Sequence, residues 1–312
     1  MDTMTTLGGS RLSRIKLFMA LSRTPHGLLD MATPALGAVL WLGGVPPLSV
    51  ILLGILTAFA GYTAVYALND VVDYRVDREK IQVCGLPCAA DDLDAVYARH
   101  PLAQGLLSLK EGILWTVAWG TVAIMGAYAL NPLCALVFLL GCLAEAVYCL
   151  MLKVSFLRTV VSGAVKTAGG MAAVFAVAPD PSPSFVFVFF LWLFFWEIGG
   201  QNVPNDMCDA DDDKNLRAET VPVRFGVQRS AVVIACCLVS AVILSLALYR
   251  LTPAKLNPVF IPGAFLAGMI LLLVPALKLV RSGEPRYAPA LFNKASYYPL
   301  TMFIVTLTSA TI

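Results

Sequence analysis

The sequence predicts an all-α integral membrane fold: nine transmembrane helices around a central cavity, arranged as two four-helix pseudo-repeats plus one helix. Three observations carry that prediction. Of 312 residues, 59% are apolar and only 13% charged, with a mean hydropathy of +0.79, whereas an average soluble domain has roughly 45–50% apolar and about 25% charged residues. Apolar stretches of bilayer-crossing length, about 20 residues, recur nine times. An aspartate pattern occurs once in each half of the chain, at an offset of 136 residues. A soluble fold of this composition could not cover itself with polar surface, which excludes a soluble enzyme, a disordered chain and a coiled coil. The net charge of +2 gives no basic footprint for nucleic acid.

From the N-terminus, the first ten residues read as a tail. Residues 11–22 pair Leu12, Ile15, Leu17 and Phe18 with Arg11, Arg14 and Lys16, as an interfacial helix does. Residues 1–24 are therefore expected to form a cytoplasmic tail and interfacial helix, and residues 25–312 a single transmembrane domain. No cleavable signal peptide is expected, because the first long apolar stretch is full length and follows a basic segment. The spans cover about 25–44, 48–68, 109–129, 132–151, 159–178, 183–203, 230–249, 257–280 and 291–311. Short uncharged turns alternate with charged loops at 69–108, 204–229 and 281–290. With the N-terminus in the cytoplasm, 19 of the 22 basic residues lie on that side, as the positive-inside rule requires. In a bacterium the host would be the inner membrane. The eight cysteines are dispersed, and Cys84 with Cys88 lacks a second ligand pair for a zinc site.

Thirteen of the 20 acidic residues fall in the 69–108 and 204–229 loops, which share one side of the membrane and are expected to cap the cavity. Both Asn69–Asp77 and Asn205–Asp213 read N-D-x-x-D-x-x-x-D. On a helix, positions i, i+3 and i+7 fall within about 60° of one another. Asp70, Asp73 and Asp77 thus share a face, as do Asp206, Asp209 and Asp213. Carboxylates so close repel unless a cation sits among them. Oxygen-only ligands suit a hard ion such as Mg2+, which commonly bridges carboxylates and phosphates. Two facing clusters describe a site for two metal ions and a diphosphate. Tyr62, Tyr66, Asn69 and Asp73 continue one polar face into the second span, and Glu197, Gln201, Asn205 and Asp209 continue another into the sixth. Polar groups at membrane depth are expensive and normally face a protein cavity.

These motifs resemble the UbiA superfamily of intramembrane prenyltransferases, whose members have nine helices and aspartate-rich motifs after the second and sixth. The likeness covers nearly the whole chain. The segment from Arg99 to Gly105 resembles the family's R-P-L-x-x-G with His100 inserted. Tyr148 with Lys153 resembles its Tyr…Lys signature, Thr220 to Gly226 its T-x-P-x-x-x-G, and Leu291 to Lys294 the start of its last helix. The loop between Asp77 and Pro101 is longer than in most members.

The resemblance implies Mg2+-dependent transfer of a prenyl group from an allylic prenyl diphosphate to an aromatic or lipid-like acceptor within the bilayer, with no obligatory protein partner. Asp70, Asp73 and Asp77 would hold one Mg2+, and Asp206, Asp209 and Asp213 another. Lys153, Arg75, Arg78 and Lys214 would add charge to the departing diphosphate, and Asn69 and Asn205 would orient it. Tyr62, Tyr66 and Tyr148 would face an allylic cation. Lys166, near mid-span, is expected to bind an anionic acceptor or to pair with Glu145 or Glu197. The Phe and Trp run at 186–196 is expected to face lipid. Two alternatives stay open: a family member that cyclises or cleaves its diphosphate with no acceptor, and a divalent-cation transporter with the aspartates at its mouth.

Overall fold

The computed structural model describes residues 13–85, 93–178 and 180–310. The predicted tail, Cys88, Asp91 and Asp92 lie outside them. All the long elements are helices. A short interfacial segment α1 (Arg14–Leu21) precedes α2 (Thr24–Asp30) and α3 (Ala32–Leu42). Then come α4 (Leu48–Cys84), α5 (Leu109–Leu130), α6 (Pro132–Leu150) and α7 (Arg158–Val177). The second half holds α8 (Pro183–Glu197), α9 (Val203–Cys208), α10 (Ala210–Asn215), α11 (Val221–Phe225) and α12 (Val227–Leu251). It ends with α13 (Phe260–Gly268), α14 (Val274–Ser282), α15 (Ala288–Ser296) and α16 (Tyr298–Ser309). Seven helical segments among the described residues are long and apolar enough to cross a bilayer, counting α8–α9 and α13–α14 as continuous. The protein is a multi-pass integral membrane protein.

The first and last expected spans are each broken in two, and proline explains both breaks. Pro34 has no N–H for the carbonyl of Asp30, and the Thr33 hydroxyl donates to that carbonyl instead, at 2.9 Å. Pro299 likewise leaves the carbonyl of Ala295 without its helical donor, and the Trp196 indole N–H supplies one at 2.9 Å. Two further prolines, Pro204 and Pro275, each follow a five-residue π-turn, Ile198–Asn202 and Met269–Leu273. A wide turn relieves the clash of the proline ring with the preceding turn.

The main core lies in the second half, around Phe185, Phe189, Trp192, Trp196 and Tyr298, all fully buried. This corrects the lipid-facing reading of the aromatic run: Phe187 faces outward at 61% exposure, but its neighbours pack against α7 and α12, and Trp192 meets Tyr298 of α16 edge to face. Close helix approach frames the other half. A Cβ on Gly37 of α3 would lie 2.8 Å from the carbonyl oxygen of Gly170 on α7, so only glycine permits that crossing. At the other end of this half, Ser108 and Glu111 form a reciprocal cap that starts α5. Between α2–α3, α4, α6, α7 and α9 the packing leaves a cavity of about 750 Å³.

Candidate active site

Helix α4 runs 37 residues without a break, about 55 Å at 1.5 Å per residue, so it overshoots a bilayer and carries the first motif on its extension. Asp73 and Asp77 line the cavity mouth, while Asp70 sits just behind at 2% exposure. Opposite them, Asp206, Asp209 and Asp213 line the same mouth. Their helix is not regular. The π-turn brings Gln201 and Asn202 both to the cavity, and the chain breaks again at Asp209, between α9 and α10. Asn69, Asn205, Tyr62 and Tyr66 also line the cavity, as their spacing predicts, and so does Tyr148, expected there from the family resemblance.

The predicted cations do not. Lys153 points outward onto Glu79 at 2.8 Å, Lys214 is exposed beside Asp211, and Arg75 and Arg78 lie on the exposed face of α4. The helical wheel gives the reason. At about 100° per residue, Arg75 falls nearly opposite the aspartates and Arg78 falls well off their face, whereas Lys80 stays within about 60° of it. The cations that do line the cavity are Arg23, Lys80, Arg99, His100, Arg158 and Lys166. Lys80 reaches Asp209 at 2.7 Å, and Arg99 reaches the same carboxylate at 2.9 Å. Arg158, at the first turn of α7, lies 3.5 Å from Asp206 and stacks 4.1 Å above the Tyr148 ring. The Tyr148 hydroxyl in turn accepts from Asn202 at 3.0 Å.

The extended loop interleaves with both clusters. While Arg99 serves the second motif, His100 serves the first, 2.8 Å from Asp77 and 3.2 Å from Asp70. Burial works against charge on His100, but Asp77 and Asp70 outweigh it and raise the imidazole pKa to about 9. Burial pushes the Asp213 carboxyl up to about 6, against the pull of Lys80. Asp209 goes the other way, because Arg99 and Lys80 outweigh its burial and lower it.

One turn deeper lies a second polar tier. Arg23, held in the left-handed region at φ 42°, donates to Asn69 at 2.8 Å and to Asp94 at 3.3 Å. His26 meets Asp94 through Nδ1 at 2.5 Å. Asp30 receives Lys166 at 2.7 Å and the Tyr66 hydroxyl at 2.5 Å. Lys166 therefore pairs with Asp30 rather than with Glu145 or Glu197. Glu197 accepts from Ser162 at 2.8 Å, and Glu145 accepts from Asn69 at 2.8 Å. Beyond Tyr62 the lining is mainly apolar, including Ala38, Ile55, Ala58, Phe138, Ala172 and Leu307.

The profile of the UbiA prenyltransferase family matches residues 31–307. The chain belongs to that family. As a UbiA-family prenyltransferase it is an enzyme, and the transporter reading falls away. It is 26% identical over 219 residues to digeranylgeranylglyceryl phosphate synthase of Thermococcus sibiricus, covering 70% of this chain and 71% of that one. It is 25% identical over 218 residues to 4-hydroxybenzoate octaprenyltransferase of Aliivibrio salmonicida, covering 69% and 71%. Its fold matches a UbiA homolog from Aeropyrum pernix with a TM-score of 0.71 at 17% identity, covering 91% of this chain and 97% of that one. A UbiA homolog from Archaeoglobus fulgidus bound to GPP and Mg2+ matches with a TM-score of 0.63 at 17% identity, covering 89% and 99%. The names of these two relatives point to different compounds, a digeranylgeranylglyceryl phosphate in one and 4-hydroxybenzoate in the other, so family membership alone does not choose an acceptor for this UbiA member.

Proposed function

We propose that the chain transfers a prenyl group from an allylic prenyl diphosphate to an acceptor within the membrane, releasing diphosphate. The observation that carries this reading is the division of the cavity: carboxylates and cations crowd its mouth and the tier just beneath, and its far end is lined mainly by apolar side chains. A diphosphate fits the first and a prenyl tail the second.

The mouth fits Mg2+. Its donors are mainly oxygens, with the His100 ring nitrogen beside Asp70 and Asp77, and Asp70 Oδ2 and Asp206 Oδ2 are buried without a hydrogen-bond partner among the described residues. Asp70, Asp73 and Asp77 would hold one ion, and Asp206, Asp209 and Asp213 a second. Bound Mg2+ neutralises a diphosphate and makes it a better leaving group. Lys80, Arg99 and Arg158, now on Asp209 and Asp206, stand within reach of diphosphate oxygens and add charge-assisted hydrogen bonds. Asn69 and Asn205 orient the headgroup. Tyr62, Tyr66 and Tyr148 line the cavity, where their rings would each stabilise an allylic cation by about 0.5–2 kcal/mol. The apolar walls keep water from an allylic cation.

The broken segments α2–α3 and α15–α16 support nine crossings in all, in two four-helix pseudo-repeats plus one helix, as a single domain after residue 24. The distribution of basic residues supports a cytoplasmic N-terminus and a mouth facing the cytoplasm. The test is diphosphate release and product analysis with purified protein, given geranyl, farnesyl or geranylgeranyl diphosphate with and without a panel of aromatic and lipid-like acceptors. Release that requires both Mg2+ and an acceptor is expected with at least one chain length, and release that needs no acceptor would favour the cyclising or cleaving alternative. Absence of release with all three would refute the reading.

A further inference from the structure

The polar tier below the mouth is left partly unsatisfied, and two of its open atoms are carboxylate oxygens. His26 Nε2, Asp30 Oδ1 and Glu197 Oε2 are buried without a hydrogen-bond partner among the described residues. His26 is 2% exposed and Glu197 6%, and both line the cavity. With the ring neutral and its hydrogen on Nδ1 facing Asp94, Nε2 carries a lone pair. It lies 3.8 Å from Asp30 Oδ1, too far for a direct hydrogen bond. The Glu197 carboxylate uses its other oxygen on Ser162.

Among the described residues, every cation at this depth has a carboxylate. Lys166 is on Asp30, and Arg23 is on Asp94 and Asp70. The tier therefore offers hydrogen-bond acceptors and negative charge, and it has no spare cation for an anion. Leaving such buried groups unpaired is costly, which favours a ligand that brings O–H or N–H donors and carries no negative charge.

We propose that this tier is the acceptor subsite and that it selects an uncharged, hydroxyl-bearing acceptor over carboxylate- or phosphate-bearing ones. Hydroxyl groups of the acceptor donate to His26 Nε2 and Glu197 Oε2. Asp94 positions His26 by fixing its tautomer, which gives a task to a residue of the extended loop. The proposal rests on the prenyltransferase reading above.

A matched pair of probes tests it: 4-hydroxybenzyl alcohol and 4-hydroxybenzoate, nearly equal in shape, one neutral and one anionic. Their binding to the full chain is measured by equilibrium dialysis, with Mg2+ and an unreactive geranyl thiolodiphosphate present. The alcohol is expected to bind at least about tenfold tighter, and Glu197→Gln to narrow that ratio about tenfold by removing the charge. Asp94→Asn, whose amide can donate to Nδ1, should weaken the alcohol, and Asp94→Glu should restore it. The ¹⁵N shifts of His26 should report a bare Nε2. Tighter binding of the benzoate, binding of neither probe, or a protonated Nε2 would overturn the proposal. Mg2+-dependent diphosphate release by the unaltered chain is measured separately. Its absence would mean that the underlying reading has failed, whereas release with the selectivity reversed would mean that only the subsite assignment has.

Discussion

The two aspartate motifs share one spacing and rest on different backbones. Asp70, Asp73 and Asp77 sit within the unbroken helix α4, and ordinary helical periodicity brings them together. Asp206, Asp209 and Asp213 follow a π-turn, and the helix ends and restarts at Asp209. Nevertheless all three line the cavity. The same spelling is thus held in place by regularity on one side and by glycine and proline on the other. Their partners differ as well. The first motif is met by His100 and, at Asp70, by Arg23, whereas the second is met by Lys80, Arg99 and Arg158.

If both motifs serve one diphosphate, neutralising a carboxylate in either should be equally severe. Asp73→Asn and Asp209→Asn are each expected to lower Mg2+-dependent diphosphate release by about 10³-fold, at the upper end for loss of one electrostatic contact in an active site. A loss confined to one motif would break the symmetry. The cations should be unequal. Arg158→Leu is expected to cost about 10²-fold, while Lys153→Ala, which opens only an exposed pair with Glu79, should cost less than about threefold.

Stability should separate the backbones. A Cβ on Gly199 would lie 2.8 Å from Cys237 Cβ and 3.0 Å from the carbonyl oxygen of Ile234. Gly199→Ala should therefore destabilise the protein by about 1–3 kcal/mol, visible as a lower melting temperature in detergent, with release falling in parallel. Buried Ala67 on α4 has no such constraint, and Ala67→Gly should cost about 1 kcal/mol through helix propensity.

The smallest effect concerns His100. Its pairing with Asp77 and Asp70 raises its pKa in the folded protein, so the contribution is complete below about 6.5, the range of a free imidazole. It is lost as pH rises through about 9. NMR titration of the metal-free protein should show a midpoint near 9, and Mg2+ should move it down. A midpoint unchanged by Mg2+ would place the ion away from the first motif.

Much of this was legible in the sequence. The aspartates were, because three residues on a regular helix need only counting. Lys80 obeys the same count ten residues after Asp70, and the wheel that grouped the aspartates also removes Arg75. Arg158 could not be found that way, because it reaches Asp206 from another helix across 48 residues of chain. The π-turns have a faint signature, since Val-Pro follows each one immediately, at Val203-Pro204 and Val274-Pro275. The broken first and last spans trace to Pro34 and Pro299, whose effect depends on whether a side chain can take the freed carbonyl. Apolar content alone misplaced the 186–196 aromatics, because a helix apolar all round carries no sign of which face meets lipid.

The central claim is that both motifs act on one headgroup. Mn2+ titration followed by electron paramagnetic resonance, with an unreactive prenyl thiolodiphosphate present, tests it directly. The account predicts two magnetically coupled ions per chain, reduced to one by either Asp73→Asn or Asp209→Asn. Two uncoupled ions, or binding indifferent to one of the substitutions, would contradict it.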